Sequence, residues 1–169
     1  HKTSSAASDV YKRQIINLLL MKLKFKILDP RIGKDFEIPK YQTSGSAGLD
    51  LIACINSQLV LAPNESTIIP SGISIFIEDS EFAGMVIPRS GLGAKKGLVC
   101  GNLMGLIDSD YQGPLSISLW NRSEENILIE PGDRVAQLVV IKVAQVDLEE
   151  VVEFAETDRG EKGFGSTGN

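Results

Sequence analysis

An acid and a phenol three residues apart, Asp108 and Tyr111, stand where the glycine-punctuated apolar run GNLMGLI gives way to DSDYQG. A strand that ends in a turn there can aim both side chains into one cavity, the carboxylate to take a proton and the ring to lie against a substrate. Asp, Ser, Gln and Gly are also the ordinary residues of a solvated turn, so the pair gains meaning only from the rest of the chain. Four other Gly- or Pro-marked segments carry polar residues with no evident structural task. They are Asp50 in AGLDL, Arg89, Ser90 and Gly91 in PRSGLG, Gln137 in PGDRVAQ, and Arg159, Phe164, Ser166 and Thr167 in RGEKGFGSTG.

The chemistry open to the chain is bounded by what it lacks. Its one histidine is His1, a terminal residue, which removes Ser-His-Asp and Cys-His catalysis and the ordinary zinc sites. Cys54 and Cys100 are far apart with no second cysteine near either, and read as buried, reduced thiols. Carboxylates, hydroxyls, amides, arginines and a hard metal ion remain. A net charge of -5 over 169 residues argues against a surface that coats nucleic acid. A nucleotide bound here is held locally rather than by the overall field.

Each candidate has a plain reading beside the chemical one. Asp50 sits between Leu49 and Leu51, a costly place for an acid without a partner; structural pairing and metal or ligand work are both open. Arg89, Ser90 and Gly91 offer a guanidinium, a hydroxyl and glycine-flanked backbone N–H groups, which suit a phosphate or make a surface turn. Gln137 lies among valines and needs a partner, whether a ligand or a neighbouring chain. The glycine-rich tail is either a disordered terminus or a mobile lid over a base and a phosphate.

Positioning these residues falls to strands. KLKFKIL alternates with a period of two, SGSAGLDLIACI runs from a small-residue loop into a strand, and QLVLA, STIIP and GISIFIE follow, separated by Pro63 with Asn64 and by Pro70 with Gly72. PLSISLWN alternates again, with Trp120 expected in the core, and PGDRVAQLVV leads from a turn into a strand. In that last strand Asp133, Val135, Gln137 and Val139 would share one face, and Arg134, Ala136, Leu138 and Val140 the other. Pro88 to Lys96 is the one helix candidate. Many short strands with frequent turns indicate one all-β domain, a sandwich or barrel. Aromatics make up only 6% of the chain, so Ile, Val and Leu must fill its interior. Residues 1–20 are expected to be a non-native leader or disordered, with Met21 opening the domain.

Taken in order, AGLDL, PRSGLG, GNLMGLIDSDYQG, PGDRVAQ and RGEKGFGSTG resemble the five motifs of the trimeric dUTP pyrophosphatases, and the resemblance covers Met21 to Gly168. It implies a distorted jelly-roll or β-barrel of the β-clip kind over 21–152, with at most one short helix, and a flexible arm over 153–169 that closes an active site. It also implies a cytoplasmic homotrimer with active sites between subunits. The implied reaction is hydrolysis of dUTP to dUMP and pyrophosphate by water attack on the α-phosphorus, with Mg²⁺ on the triphosphate. That reaction limits uracil incorporation into DNA and supplies dUMP for dTMP synthesis.

Carried over by position, Asp108 would orient and deprotonate the water. Tyr111 would lie under the deoxyribose and exclude a 2′-hydroxyl. Asn102, with backbone groups of Leu106, Ile107 and Ser116, would read the uracil edge. Arg89, Ser90 and Gly91 would hold the phosphates, Gln137 would assist, and Asp50 would support the hydrated metal. Arg159 would neutralise phosphate charge, Phe164 would cap the uracil, and Ser166 and Thr167 would meet the γ-phosphate. The sequence departs from the family pattern at Lys162, where the arm usually has glycine, and at Lys96, where relatives often carry histidine. The competing readings are a dCTP deaminase of the same fold and a non-catalytic jelly-roll binding protein.

Overall fold

Alternation decides where the long strands lie. In PLSISLWN the even-numbered residues from Ser116 to Trp120 face outward and Leu115, Ile117 and Leu119 are buried, the signature of a strand with one face on a core. The chain is described by a computed structural model over residues 22–157 and 159–161. In order, its elements are β1 (Lys24–Ile27), β2 (Leu49–Ile52), β3 (Leu59–Leu61), β4 (Ser66–Phe76) and β5 (Phe82–Pro88). They continue with α1 (Ser90–Lys95), β6 (Leu98–Cys100), β7 (Gly105–Ile107), β8 (Pro114–Asn121), β9 (Ile127–Ile129) and β10 (Arg134–Lys142). This is the all-β, jelly-roll-like architecture expected from the sequence, with α1 the one short helix among the described residues.

Two four-stranded sheets, in the orders β1-β4-β8-β6 and β2-β10-β5-β7, and a β3-β9 ribbon enclose a single core. Leu51, Leu61, Leu115, Ile117, Leu119, Ile129 and Leu138 are its largest fully buried apolar side chains, which puts the work of an aromatic-poor chain on branched aliphatics. Each is worth about 1.5–3 kcal/mol of burial. No helix among the described residues is long and apolar enough to cross a membrane.

Three expectations need correcting. STIIP and GISIFIE do not separate at Pro70 and Gly72 but form one strand, β4, whose pairing with β8 shifts register between Pro70 and Ser74. Proline lacks an N–H for the ladder, and here its carbonyl accepts from the Cys54 amide while that of Gly72 accepts from Leu28 and Asp29. Trp120 is half-buried rather than in the core, and its indole N–H donates to Asn64 Oδ1 at 3.2 Å. The strict alternation in β10 fails as well: its register against β2 shifts between Arg134 and Ala136, and Val135, Ala136 and Leu138 are all buried.

The PGD turn is built as its sequence dictates. Pro131 and Gly132 are its central residues, the Asp133 amide bonds the Glu130 carbonyl at 3.0 Å, and Gly132 has φ +87. That is the proline-then-glycine pattern of a type II turn. A Cβ at Gly132 would also lie 2.9 Å from the Phe36 ring, so glycine is required twice over.

Cys54 and Cys100 are free and buried. Burial pushes both thiols above their ordinary range, and hydrogen bonding with Asp29 adds to this at Cys54. The neighbouring Asp29 carboxyl is held well below the usual carboxylate range by its hydrogen bonds from Arg31. Since the thiolate is the reactive form, a colorimetric thiol reagent at pH 8 should find no fast-reacting cysteine in the native protein and two after unfolding in guanidinium. One fast native thiol would contradict the burial.

Candidate active site

The chain gathers its expected site residues into two groups. The first lies where β2, β10 and the end of β5 run side by side. Asp50 is opposite Gln137, and Gln137 is opposite Ile87. Pro88 ends β5, and Arg89, extended at φ -78 and ψ 127, starts α1. These elements line a cleft of about 510 Å³ that includes Gly48, Asp50, Arg89, Ser90, Gly91 and Gln137.

Asp50 is the hinge of this group. Its Oδ1 is ion-paired with Arg89, 3.0 Å from Nε, and its Oδ2 accepts from Arg134 Nη1 at 3.0 Å, with only 12% of the side chain exposed. The acid that looked expensive in an apolar strand is thus stabilised by two guanidiniums. Arg89 Nη1 also donates to the Arg134 carbonyl at 3.1 Å. Its fork is therefore fixed on one side, and its remaining N–H groups are left for an anion. Gln137 finds its partner within the chain, donating to the Pro88 carbonyl at 3.2 Å. A Cβ at Gly48, just before β2, would lie 2.7 Å from Gln137 Oε1, so a larger residue there would push the Gln137 amide from its place.

Arg134 is the residue that sequence reasoning missed. In a regular strand Arg134 and Gln137, three positions apart, would face opposite ways. The register shift after Arg134 inserts one residue and restores them to the same neighbourhood, as a bulge does. The PGDR spelling marks the turn but not the bulge behind it.

The second group lies on the β7 edge. Gly101 leaves β6 with its amide on the Ser118 carbonyl, and Leu103, at φ +63 with its amide on the Cys100 carbonyl at 2.9 Å, turns the chain from β6 in one sheet to β7 in the other. Asn102 is exposed and its Nδ2 lies 3.4 Å from where a Gly105 Cβ would be. Leu106 is exposed, Ile107 packs over Gly84, and Ser116 stands exposed on β8. The strand then ends in the expected turn, closed by the Tyr111 amide on the Asp108 carbonyl at 3.2 Å. Tyr111 Oη donates to the Pro114 carbonyl at 3.0 Å, and its ring covers Gly113, where any Cβ would meet the phenol at 2.5 Å. Within one chain the Asp108 carboxylate and the Tyr111 ring stand on an exposed edge rather than inside an enclosed cavity.

The two groups do not meet within the chain. Ile107 is paired with Gly84, so Asp108 falls beside Ala83, six residues along β5 from Arg89. At roughly 3.3 Å per residue that is about 20 Å. Arg159 is exposed in the described C-terminal stretch, whereas Phe164, Ser166, Thr167 and Lys162 lie outside the described residues, as do residues 1–20. Among the described residues no three His, Cys, Asp or Glu side chains come together as a metal cage.

Comparison with known proteins gives a consistent picture. The family model described as dUTPase matches residues 34–168. A protein of Escherichia coli O1:K1 / APEC named deoxyuridine 5'-triphosphate nucleotidohydrolase is 54% identical over 150 residues, covering 89% of this chain and 99% of that protein. One of the same name from Shigella sonnei is 54% identical over 149 residues, covering 88% and 99%. Among solved structures, a Staphylococcus bacteriophage 80alpha dUTPase mutant with dUpNHpp superposes with a TM-score of 0.72 at 28% identity, over 88% of this chain and 99% of that one.

Proposed function

We propose a division of labour among these residues from one premise: the chain belongs to the dUTPase family, whose reaction is hydrolysis of dUTP to dUMP and pyrophosphate. The observation that carries the reading is the cleft in which Arg89, Ser90 and Gly91 stand beside a carboxylate, Asp50, already neutralised by two arginines. Arg89, Ser90 and Gly91 bind the phosphates, and Gln137 assists from the adjoining strand β10.

Asp108 acts as general base. It accepts a proton from water as the water oxygen bonds to the α-phosphorus, and the bond from that phosphorus to the bridging oxygen breaks to release pyrophosphate. Tyr111, its ring held by Pro114 and Gly113, lies under the deoxyribose where a 2′-hydroxyl would collide with it. Asn102 and the backbone of Leu106, Ile107 and Ser116 read the uracil edge. Arg159, Phe164, Ser166 and Thr167 complete the site as the C-terminal arm closes. Glutamate-based deamination of dCTP has no comparable support.

Two copies are needed to bring these roles together. A base and a phosphate clamp about 20 Å apart along one strand cannot serve one triphosphate, so Asp108 of one subunit faces Arg89 of another. An exposed apolar run supports the same view. Val146, Leu148, Val151, Val152 and Phe154 are all exposed, Val152 fully and Leu148 by 96%, and such stretches ask for cover. A homotrimer with shared sites supplies it.

The described residues do not fit a protein-built metal site, because both Asp50 oxygens are taken by guanidiniums and no acidic cage is present among them. Mg²⁺ carried by the triphosphate would spread phosphate charge, while Arg89, Ser90 and Gly91 hold the phosphates and Asp50 keeps Arg89 and Arg134 in place. Two buried free thiols suit a reducing compartment such as the cytoplasm.

Pyrophosphate release measured across dUTP, dCTP, dTTP and UTP tests the reading. dUTP should be preferred over each of the others by at least about 10²-fold in kcat/KM, the scale of a site that rejects by unpaired polar groups or by collision. Equal use of UTP would remove Tyr111 from its role, and ammonia release from dCTP would overturn the reaction class.

A further inference from the structure

We propose that the turn after β8, and Arg122 in particular, positions the phosphate-binding helix α1; this rests on the reading of Arg89, Ser90 and Gly91 as the phosphate clamp. Helix α1 has six residues, two of them glycine, and no side-chain cap at its start. Glycine is a poor helix former, so contacts from outside must define where this segment sits. On one side it borders a cavity of about 220 Å³ lined by Arg89, Leu92, Lys96, Leu98 and Val135 among others, so packing there is incomplete.

Its C-terminal end is held instead. Arg122 Nη2 donates to the Gly93 carbonyl at 3.3 Å, and the Arg122 amide donates to the Gly97 carbonyl at 3.0 Å. Gly97, at φ +73, is the left-handed residue that closes the helix. A Cβ there would lie 2.9 Å from Ser123 Cβ, so the turn presses directly against the helix end.

The turn is itself fixed by an amide that the reaction does not use. Asn121 is fully buried, and its Nδ2 donates to the carbonyls of Leu61 at 2.8 Å and Glu125 at 2.7 Å. Its Oδ1 accepts from the Ser123 amide at 2.9 Å and the Ser123 hydroxyl at 2.7 Å. A buried side chain with every polar atom satisfied is a rigid mount. Arg122 projects from that mount onto α1, and through α1 it sets the backbone of Ser90 and Gly91 toward the phosphates. It touches no substrate and is a positioning residue.

Arg122→Met keeps the aliphatic length, and Arg122 is exposed, so the variant should fold. In the full chain, KM for dUTP should rise about fivefold, the scale of one hydrogen bond, with kcat within twofold and Tm within about 3 °C. Inhibition by deoxyuridine, which carries no phosphate, should not change, and Arg122→Lys should recover part of the KM. A KM within twofold of wild type would overturn the proposal. So would a deoxyuridine inhibition constant that rises in step with KM, which is general loosening. A wild-type chain that releases no pyrophosphate from dUTP would overturn the site reading as well, whereas an active wild type beside an unaffected variant overturns the role of Arg122 alone.

Discussion

Asp108→Asn should lower kcat for dUTP by about 10²- to 10⁴-fold, the range typical for loss of a general base, and leave KM within about threefold. Asparagine has nearly the same shape and can still hold a water, but it cannot accept the proton as the bond to phosphorus forms. The fold gives no reason for a larger disturbance. The turn at 108–111 is closed by the Asp108 backbone carbonyl, which the substitution keeps, and the side chain is exposed. Thermal unfolding should therefore match wild type, and binding of the analogue dUpNHpp should be nearly unchanged. Single-turnover kinetics together with titration of the analogue separate the two quantities. A variant that turned over normally would remove Asp108 as the base, and one that lost binding instead would make it a substrate anchor.

The second large effect falls on the other half of the site. Arg89→Ala should raise KM for dUTP by about 10²-fold, since two hydrogen bonds between a guanidinium and phosphate at about 1.5 kcal/mol each account for that factor. The change in kcat should be much smaller than in Asp108→Asn. Asp50 would keep Arg134 as its partner at 3.0 Å, so the local structure should survive. Arg89→Lys should not restore affinity, because a point charge cannot hold Asp50, the Arg134 carbonyl and a phosphate oxygen together as the planar fork does. Steady-state kinetics on the two variants checks this. Full recovery by lysine would mean that bulk charge, not geometry, holds the triphosphate.

How far the sequence speaks depends on whether a signal is local. PLSISLWN shows its buried face by alternation alone, and the PGD turn follows from the φ preferences of proline and glycine, so β8 and the entry to β10 were legible. FAGMVIP, LVC and ILI were not, because a glycine-broken run and two three-residue strands are too short to show a period. Pro70 misled for the opposite reason. It reads as a break, yet the strand absorbs it as an irregularity with its carbonyl still bonded. Trp120 looked like core, but an indole has one polar end, and here that end reaches Asn64.

The same rule holds within the site. Asp108 and Tyr111 are neighbours through one turn, and Arg89, Ser90 and Gly91 are consecutive, so each group was visible as a local candidate, although its role came only from the resemblance of the five motifs taken together. The partner of Asp50 was left open, and its answer lies 39 and 84 residues away in Arg89 and Arg134. A bulge of one residue decided it. Nor does spacing reveal that the two groups sit far apart in one chain; that follows from the register of β5 against β7.

The central claim is that Asp108 and Arg89 act on one triphosphate from different subunits. Mixing addresses it most directly: Asp108→Asn and Arg89→Ala chains, each nearly inactive at dUTP well below KM, are unfolded together in equal amounts and refolded. Random assembly pairs an intact Asp108 from one chain with an intact Arg89 from another in about a quarter of the sites, so pyrophosphate release should recover to about a quarter of the wild-type rate. If both residues served from the same chain, no mixture could contain an intact site, and activity would stay at the level of the two variants refolded alone.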